Sequence, residues 1–569
     1  MKSKRVIPAI LSLTITVSLL TACQPQAASS KLPELSKNST VSETVSETVE
    51  ENGSRELVGN TYKTGLPIIK DPEKFRIVVE HHPMDKSKSF NEKEIVRQLQ
   101  EETGIEIEWK EILSSDLDQK IPLLLASDLP DAFLGGFTLS DANFAKNLKS
   151  FVSIEPYMND GWMPNVLNSY KKASELIGFD VKDQLSRQTD GNIYSLIGGS
   201  LTSNDSSVTG VQFINTRWLK NVGLEIPKTQ DEFYAVLKAF KEKDANGNGD
   251  SNDEIPLEFC NNFWAGNIKD MFGYWGFTGY YNVEDGKVIP TMNTEDFKNA
   301  LVFYNKLANE GLLDVEGFSQ TREQFSSKVK QGKVGVSLFW SPVEFISDDS
   351  ALDYKFMPPF AANGYSGKPQ LRGRYNKVST QNNSFVITTK CKNPTALLRW
   401  WDYIATDSFT RNEFYYGPIK SEQNPTGLFE EKDGKYTVLT DGDYSVDFSF
   451  ENAKYTYQIN NSVPLAMPEE IAQIPADPNS PLGIRKVTCD EAIEFLPKDG
   501  LPYRNQPADK SAEFALKTTD LSGFIDNFIA TSIVDGVTDA SWNKYVEDLD
   551  KYNYGYYIQY YQDFLDGKF

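Results

Sequence analysis

From Phe75 to Gly136 the chain alternates short apolar runs with segments of helical periodicity, and that alternation limits what it can fold into. Phe75-Arg-Ile-Val-Val79 has the length and character of a buried strand. Between Asn91 and Glu102, Ile95, Val96 and Leu99 share one helical face, and Gly104 follows as a stop signal. Ile105, Ile107 and Trp109 alternate with Glu106 and Glu108, the pattern of a strand with one wet face. A second helix over Leu117–Ala126 ends at Ser127-Asp-Leu-Pro130, and Asp131-Ala-Phe-Leu-Gly-Gly136 supplies a third strand and a loop. Strand, helix, strand, helix, strand predicts an α/β fold with a parallel sheet and crossover helices. At 569 residues the chain exceeds one typical domain, so two or more lobes are expected.

A second block repeats the texture. Phe213-Ile-Asn-Thr-Arg-Trp-Leu-Lys-Asn-Val-Gly223 reads as a strand passing into a helix with a glycine stop. Thr229-Gln-Asp-Glu232 has the form of a capping box, ahead of a helix with Phe233, Leu237 and Phe240 on one face. Further segments read as a helix over Phe297–Leu312, strands at Val334–Trp340 and Ser384–Thr388, and a helix over Pro394–Thr406. Trp400 and Trp401 lie in that last helix, with at least one expected in the core. The end, Trp542–Leu565, reads as a Tyr-rich amphipathic helix or helix pair.

The N-terminus carries an address. Lys2, Lys4 and Arg5 precede a nearly uncharged stretch from Val6 to Ala22, the layout of a secretory signal peptide over residues 1–22. The stretch is too short to read as a permanent spanning helix. Leu20-Thr-Ala-Cys23 resembles the bacterial lipobox, which implies diacylglycerol on the Cys23 thiol and an anchor at the extracellular face of the cell membrane. Residues 23–62 then read as a tether, because Thr40-Val-Ser-Glu-Thr-Val-Ser-Glu-Thr-Val49 is a low-complexity repeat that buries no core. About forty flexible residues reach on the order of 35 Å.

Composition narrows the partners. The formal charge is -22, and losing three basic residues with the signal makes it more negative. Nucleic acid and anionic lipid are therefore excluded as direct ligands. Beyond Cys23 the cysteines are Cys260, Cys391 and Cys489, an odd number, so no disulfide framework carries the fold. The two histidines, His81 and His82, are adjacent, so a zinc site with i, i+4 histidines is excluded. No Gly-x-Ser-x-Gly elbow or phosphate-cradling glycine loop occurs. A glycoside-cleaving carboxylate pair needs only two of 80 acids, so a surface-anchored glycan hydrolase stays open as an alternative.

Several segments together resemble the extracellular solute-binding lipoproteins (family 1) of carbohydrate ABC importers, in their large Gram-positive branch. The carriers are His82-Pro83, Glu102-Thr-Gly-Ile-Glu-Ile-Glu-Trp109, Ala126-Ser-Asp-Leu-Pro-Asp-Ala-Phe133, Asn215-Thr-Arg-Trp-Leu219, Gly332-Lys-Val-Gly335 and Phe339-Trp340. The segment Asp244-Ala-Asn-Gly-Asn-Gly-Asp-Ser-Asn-Asp-Glu-Ile-Pro256 belongs to the same set. The resemblance implies a two-lobed, type II periplasmic-binding-protein-like fold with parallel-type sheets and helices on both faces. It divides the chain into lobe 1 at 63–195 and 373–440, and lobe 2 at 196–372 and 441–569. Hinges are then expected near Tyr194-Ser195 and Arg374-Tyr375. It also implies a monomer that captures an oligosaccharide between its lobes and delivers it to ABC transporter permeases. A sugar-sensing receptor without transport would look the same.

Sugar rings need aromatic platforms ringed by planar polar groups, and open α/β sheets bind beyond the carboxyl ends of their strands. The candidate ligand contacts are accordingly His82, Asp131, Trp264, Trp275, Trp340, Arg372 and Tyr375. Trp340 ranks first, since in the family the matching Phe-Trp pair follows a cleft-facing strand. Asp244, Asn246 and Asn248 alternate ahead of Gly249, like the opening of an EF-hand, but position twelve is Ile255 rather than a bidentate Glu. The family's calcium loop places an acidic pair before Ile-Pro, here Asp253-Glu254. One extra residue leaves Asn252 and Asp253 as competitors for one position, and Asp250 would offer its backbone carbonyl. Calcium is thus expected as a structural cofactor on Asp244, Asn246, Asn248, Asp250, Asp253 and Glu254.

Overall fold

In the computed structural model, which describes residues 55–201, 208–346, 348–374, 380–439, 450–477, 479–480, 482–503 and 505–569, the alternating run behaves as its pattern dictates. Ile105, Ile107 and Trp109 are buried, while Glu106 and Glu108 face solvent. The first strand, β1 (Glu73–His81), lies parallel to β2 (Ile105–Leu113), from Glu73 beside Ile105 to His81 beside Leu113. Between them runs α1 (Glu94–Thr103), which stops where Gly104 takes a left-handed φ of 74°. Helix α2 (Leu117–Ser127) leads to β3 (Ala132–Leu134), parallel to β1 on its other side. Signal peptide, Cys23 and most of the expected tether fall outside the described residues.

The sheets are mixed rather than purely parallel. The remaining strands are β4 (Leu196–Gly199), β5 (Val211–Asn215), β6 (Ile255–Leu257), β7 (Val334–Phe339), β8 (Tyr354–Phe356) and β9 (Thr380–Ile387). One sheet has the order β2-β1-β3-β9-β4, the other β8-β5-β7-β6. In the first, β9 runs antiparallel to both β3 and β4. In the second, β6 and β7 are parallel, and β7, β5 and β8 are antiparallel. The cause is the chain path: β9 returns from the second lobe and enters the first sheet from its far end. The two-lobed α/β architecture is otherwise the expected one.

Three boundaries shift. Residues 55–62 are not tether: Leu57–Val58 pairs with Thr61–Tyr62, and Arg399 donates to the Tyr62 carbonyl. Leu196–Gly199 is the edge strand of the first sheet, so the crossing falls after Ser200 and not at residue 195. The return to lobe 2 also comes later than residue 441. Gly199 N–H donates to Val463 O and Ala466 N–H to Gly199 O, which keeps residues 450–474 on the first lobe.

Helices cover both sheets as the apolar spacing requires. In the second lobe α3 (Gln230–Glu242) buries Phe233, Leu237 and Phe240. Its cap is half a capping box: Thr229 Oγ accepts from Glu232 N–H, but Glu232 reaches Lys228 N–H, one residue early. Helix α4 (Glu295–Asn309) packs beside it in the same core. In the first lobe α5 (Pro394–Ile404) puts both Trp400 and Trp401 in the core, Trp401 stacked on Phe385 of β9 at 5.1 Å. Helices α6 (Ser408–Tyr416) and α7 (Phe450–Tyr457) complete that lobe. Helix α8 (Gly483–Ala492) packs on β8 of the second lobe. The C-terminus is α9 (Leu521–Asp535), α10 (Asp539–Lys551) and α11 (Tyr554–Leu565), the last two separated at Asn553, φ 63°. Cys260, Cys391 and Cys489 are all buried.

Candidate ligand-binding cleft

The strand ends of both sheets open on one cavity of about 620 Å³. The first lobe supplies His82, Pro83 and Met84 after β1, Phe137 after β3, and Gly199 and Ser200 at the end of β4. The second supplies Trp340 and Ser341 after β7, with Trp264 and Arg322 beside them. Tyr415, Tyr416 and Tyr455 from α6 and α7 close the first-lobe wall. Backbone approach there is tight: a Cβ on Gly136 would lie 2.5 Å from Gln381 Cβ, so this turn after β3 admits only glycine unless its neighbours move.

Two tryptophans form the second-lobe floor. Trp264 and Trp340 are 5.3 Å apart and inclined at 48°, and Trp264 is 56% exposed. Each is held by an arginine. The Arg485 guanidinium lies 3.5 Å from the Trp340 ring centroid and donates to Trp340 O at 3.1 Å and Val208 O at 2.7 Å. Arg372 grips the buried Asp270 carboxylate at 2.6 and 3.0 Å and donates to Trp264 O at 2.9 Å. Gly210 passes so close that a Cβ would sit 2.3 Å from Asp270 Oδ2.

The first-lobe wall centres on His82. Its ring stacks on Tyr455 at 3.8 Å and 8°. Burial, with Arg322 nearby, lowers its pKa to about 4, so the ring is neutral at physiological pH. Met84 N–H donates to His82 Nδ1 at 3.2 Å, which leaves the ring proton on Nε2. The loop is anchored from behind by a buried ion pair, Lys93 to Asp85 at 2.6 Å. The same Nζ donates to Tyr455 O and Gln458 O at 2.8 Å. Burial lowers the Lys93 pKa, with Asp85 opposing.

Four buried side-chain oxygens in residues lining the cleft have no hydrogen bond: Ser200 Oγ, Ser341 Oγ, Glu344 Oε2 and Asn461 Oδ1. Each such atom costs about 1–3 kcal/mol when left unpaired. Together they ask for a ligand rich in hydroxyl groups. Burial also pushes the Glu344 carboxyl up to about 7.

Of the seven sequence candidates the structure brings together His82, Trp264 and Trp340. Trp275 is not in the cleft: it is 2% exposed in the second-lobe core against Phe303 and Tyr304. Asp131 is structural, since its carboxylate accepts Arg76 N–H at 2.8 Å and ties β1 to the start of β3. Arg372 supports the floor from behind and does not line the cavity. Tyr375 lies outside the described residues. Sequence reasoning missed Phe137, Arg322, Glu344, Tyr415, Tyr455 and Arg485. Phe137 was within reach, as it directly follows the strand end at Leu134–Gly136; the others come from helices and turns that only the assembled lobes bring together.

The acidic loop lies in the second lobe between α3 and β6. Asp244 accepts the N–H groups of Gly247, Asn248 and Gly249 at 2.9–3.0 Å. Asn246 and Asn248 turn their amides to Asp253, whereas Asn252 pairs with Asp250 at the outside, so Asp253 is the inward residue. Glu254 is 3% exposed with both carboxylate oxygens unpaired. Among the described residues no three of His, Cys, Asp or Glu are assembled as a metal cluster. The loop's donors are a mixture of carboxylates and amides.

Residues 88–409 match the family of bacterial extracellular solute-binding proteins. The chain is 28% identical to the fructooligosaccharide ABC transporter substrate-binding protein FusA of Streptococcus pneumoniae, over 84% of this chain and 88% of that one. It is 33% identical to lipoprotein LipO of Bacillus subtilis, over 45% of this chain and 47% of LipO. The structure of S. pneumoniae FusA in complex with kestose superposes with a TM-score of 0.72 at 26% identity, covering 87% of this chain and 99% of that one. An EF-hand mutant of FusA with fructo-nystose gives 0.73 at 25% identity and the same coverage.

Breaking the buried pair behind His82 tests how the first-lobe wall is held. Lys93→Met leaves Asp85 buried without a counter-charge, which costs about 3–5 kcal/mol. Urea denaturation is expected to show that loss, and the double variant Lys93→Met/Asp85→Asn is expected to recover part of it. A loss in Lys93→Met below about 1 kcal/mol contradicts the anchoring role.

Proposed function

Because the chain belongs to the bacterial extracellular solute-binding protein family, we propose that its solute is an oligosaccharide, held between the lobes and handed to an ABC importer. The observation that carries this reading is the pairing of a two-tryptophan floor, Trp264 exposed and Trp340 half-buried, with four unpaired buried oxygens in one cavity. Aromatic faces take the apolar faces of sugar rings, and the polar atoms take their hydroxyls. FusA, a substrate-binding protein for fructooligosaccharides, supports the same solute class. The lobes close because the ligand contacts both walls at once, a contact available only in the closed state. The protein acts as a binder that leaves its ligand unchanged, as a monomer that docks on the permeases.

The N-terminal sequence supports anchoring through Cys23, with the chain outside the cell membrane and the tether keeping captured solute near the importer. Among the described residues no helix is long and apolar enough to cross a membrane. We also infer a structural calcium in the acidic loop. Glu254 is the observation for it, a buried carboxylate with neither oxygen paired, facing a loop of oxygen donors. Asp244, Asn246, Asn248, Asp253 and Glu254 would hold the ion, with the backbone carbonyl of Asp250. The ion's contribution would be to neutralise these carboxylates and cross-link the loop to β6.

Calorimetric titration of the mature chain with neutral fructans, xylan fragments and pectin fragments tests the solute class. Binding of at least one oligosaccharide is expected, and Trp340→Ala is expected to weaken it on the order of tenfold or more. Failure of every oligosaccharide, or hydrolysis of the bound sugar, contradicts the reading. For the loop, a chelator is expected to lower Tm, and elemental analysis to find about one calcium per chain. An unchanged Tm with no calcium removes the assignment.

A further inference from the structure

The charges in the cleft do not match the charge of an acidic sugar. Its cationic side chains are Arg322, Lys454 and Arg485, and its anionic ones Glu323, Glu344 and Glu451. The formal sum is zero, within a chain of net charge -22. All three cations are already engaged with aromatic rings, Arg322 over Phe345 at 5.1 Å and Phe263 at 5.5 Å. Arg485 lies on Trp340 with its donors on two backbone carbonyls, and Lys454 Nζ sits 3.9 Å from the Tyr415 ring centroid. His82 is neutral. A polyuronide carries one carboxylate per ring, and each would need a cation of its own in a site that offers no positive field.

Glu344 sharpens the point. It closes the short 3-10 turn Pro342–Glu344 just after Trp340, so its carboxyl reaches the cavity beside the aromatic floor. Arg322 and Glu451 are the charged groups that act on it, and one of its oxygens is buried with no donor. A carboxylate accepts but does not donate, and vicinal sugar hydroxyls present two donors side by side. Hydroxyl donors would replace the water lost on burial and favour the charged form. A second carboxylate in that place would meet only repulsion.

On the reading that the cleft binds an oligosaccharide, we propose that it selects uncharged sugars. Glu344 is the acceptor for ring hydroxyls above the Trp264–Trp340 floor, and Glu344 with Glu451 rejects uronides.

The test titrates the full mature chain, wild type and two variants, with kestose as the neutral probe and trigalacturonate as the acidic one, at pH 7.5 and low salt. Wild type is expected to bind kestose or a longer neutral fructan and to ignore trigalacturonate. Glu344→Gln is expected to lose about tenfold to a hundredfold in neutral-sugar affinity. Glu451→Gln, which keeps the Glu344 acceptor, is expected to gain measurable affinity for trigalacturonate and to raise the ratio of trigalacturonate to kestose affinity at least about tenfold. Thermal melts confirm that both variants fold. Trigalacturonate binding to wild type as tightly as the neutral sugar overturns the proposal alone, as does a folded Glu344→Gln with undiminished affinity. Failure of wild type to bind sugar of either kind overturns the oligosaccharide reading as well.

Discussion

Two arginines, the buried Arg485 and the partly exposed Arg372, join the cleft floor to the strand that links the lobes, and the arrangement of the site depends on them. Arg485 spans Trp340 O and Val208 O, and Arg372 grips Asp270 and Trp264 O. The linking strand is held to Arg372 as well, through Thr209 N–H to Arg372 O and the bridge between Val208 and Gly373. Both tryptophan platforms are thus tied to residues 208–210 and 372–373, where the chain enters and leaves the second lobe. A movement of the lobes about these crossings carries the floor as a rigid unit. Arginine suits the task because its planar fork fixes direction as well as charge.

The opposite wall is built on a different principle. His82 is a neutral ring stacked on Tyr455, and its loop is pinned by one lysine that satisfies a carboxylate and two carbonyls. Its protonation is suppressed by burial, so the wall keeps a fixed donor across the physiological range. Each wall sets polar groups beside aromatic faces, His82 beside Tyr455 on one and Glu344 near Trp264 and Trp340 on the other. An oligosaccharide, the solute proposed for this cleft, is amphipathic in the same sense.

The local signals were legible in sequence because they arise from local physics. Period-two burial at Ile105–Trp109, the stop at Gly104 and the strand before Gly135 need no tertiary information. Trp264, Trp340 and His82 could be chosen because they sit at strand ends or in loops near them. Trp275 shows the limit: a tryptophan near a turn looks the same in sequence whether it faces a cavity or Phe303. Asp131 and Arg372 are polar residues whose partners, Arg76 and Asp270, are distant in sequence. The antiparallel β9 and the late third crossing follow from how the lobes are threaded, and periodicity does not encode threading. Glu344 could not be ranked among 80 acids until its unpaired oxygen was seen.

On the proposed reading, solute is held between the His82–Tyr455 wall and the Trp264–Trp340 floor. Hydrogen–deuterium exchange of the mature chain, free and saturated with the tightest-binding oligosaccharide, tests it most directly. Protection is expected at residues 82–85, 340–346 and 455–462, together with altered exchange at 208–210 and 372–374, and none over α9 and α10. Protection confined to another surface, with residues 340–346 unchanged, would contradict it.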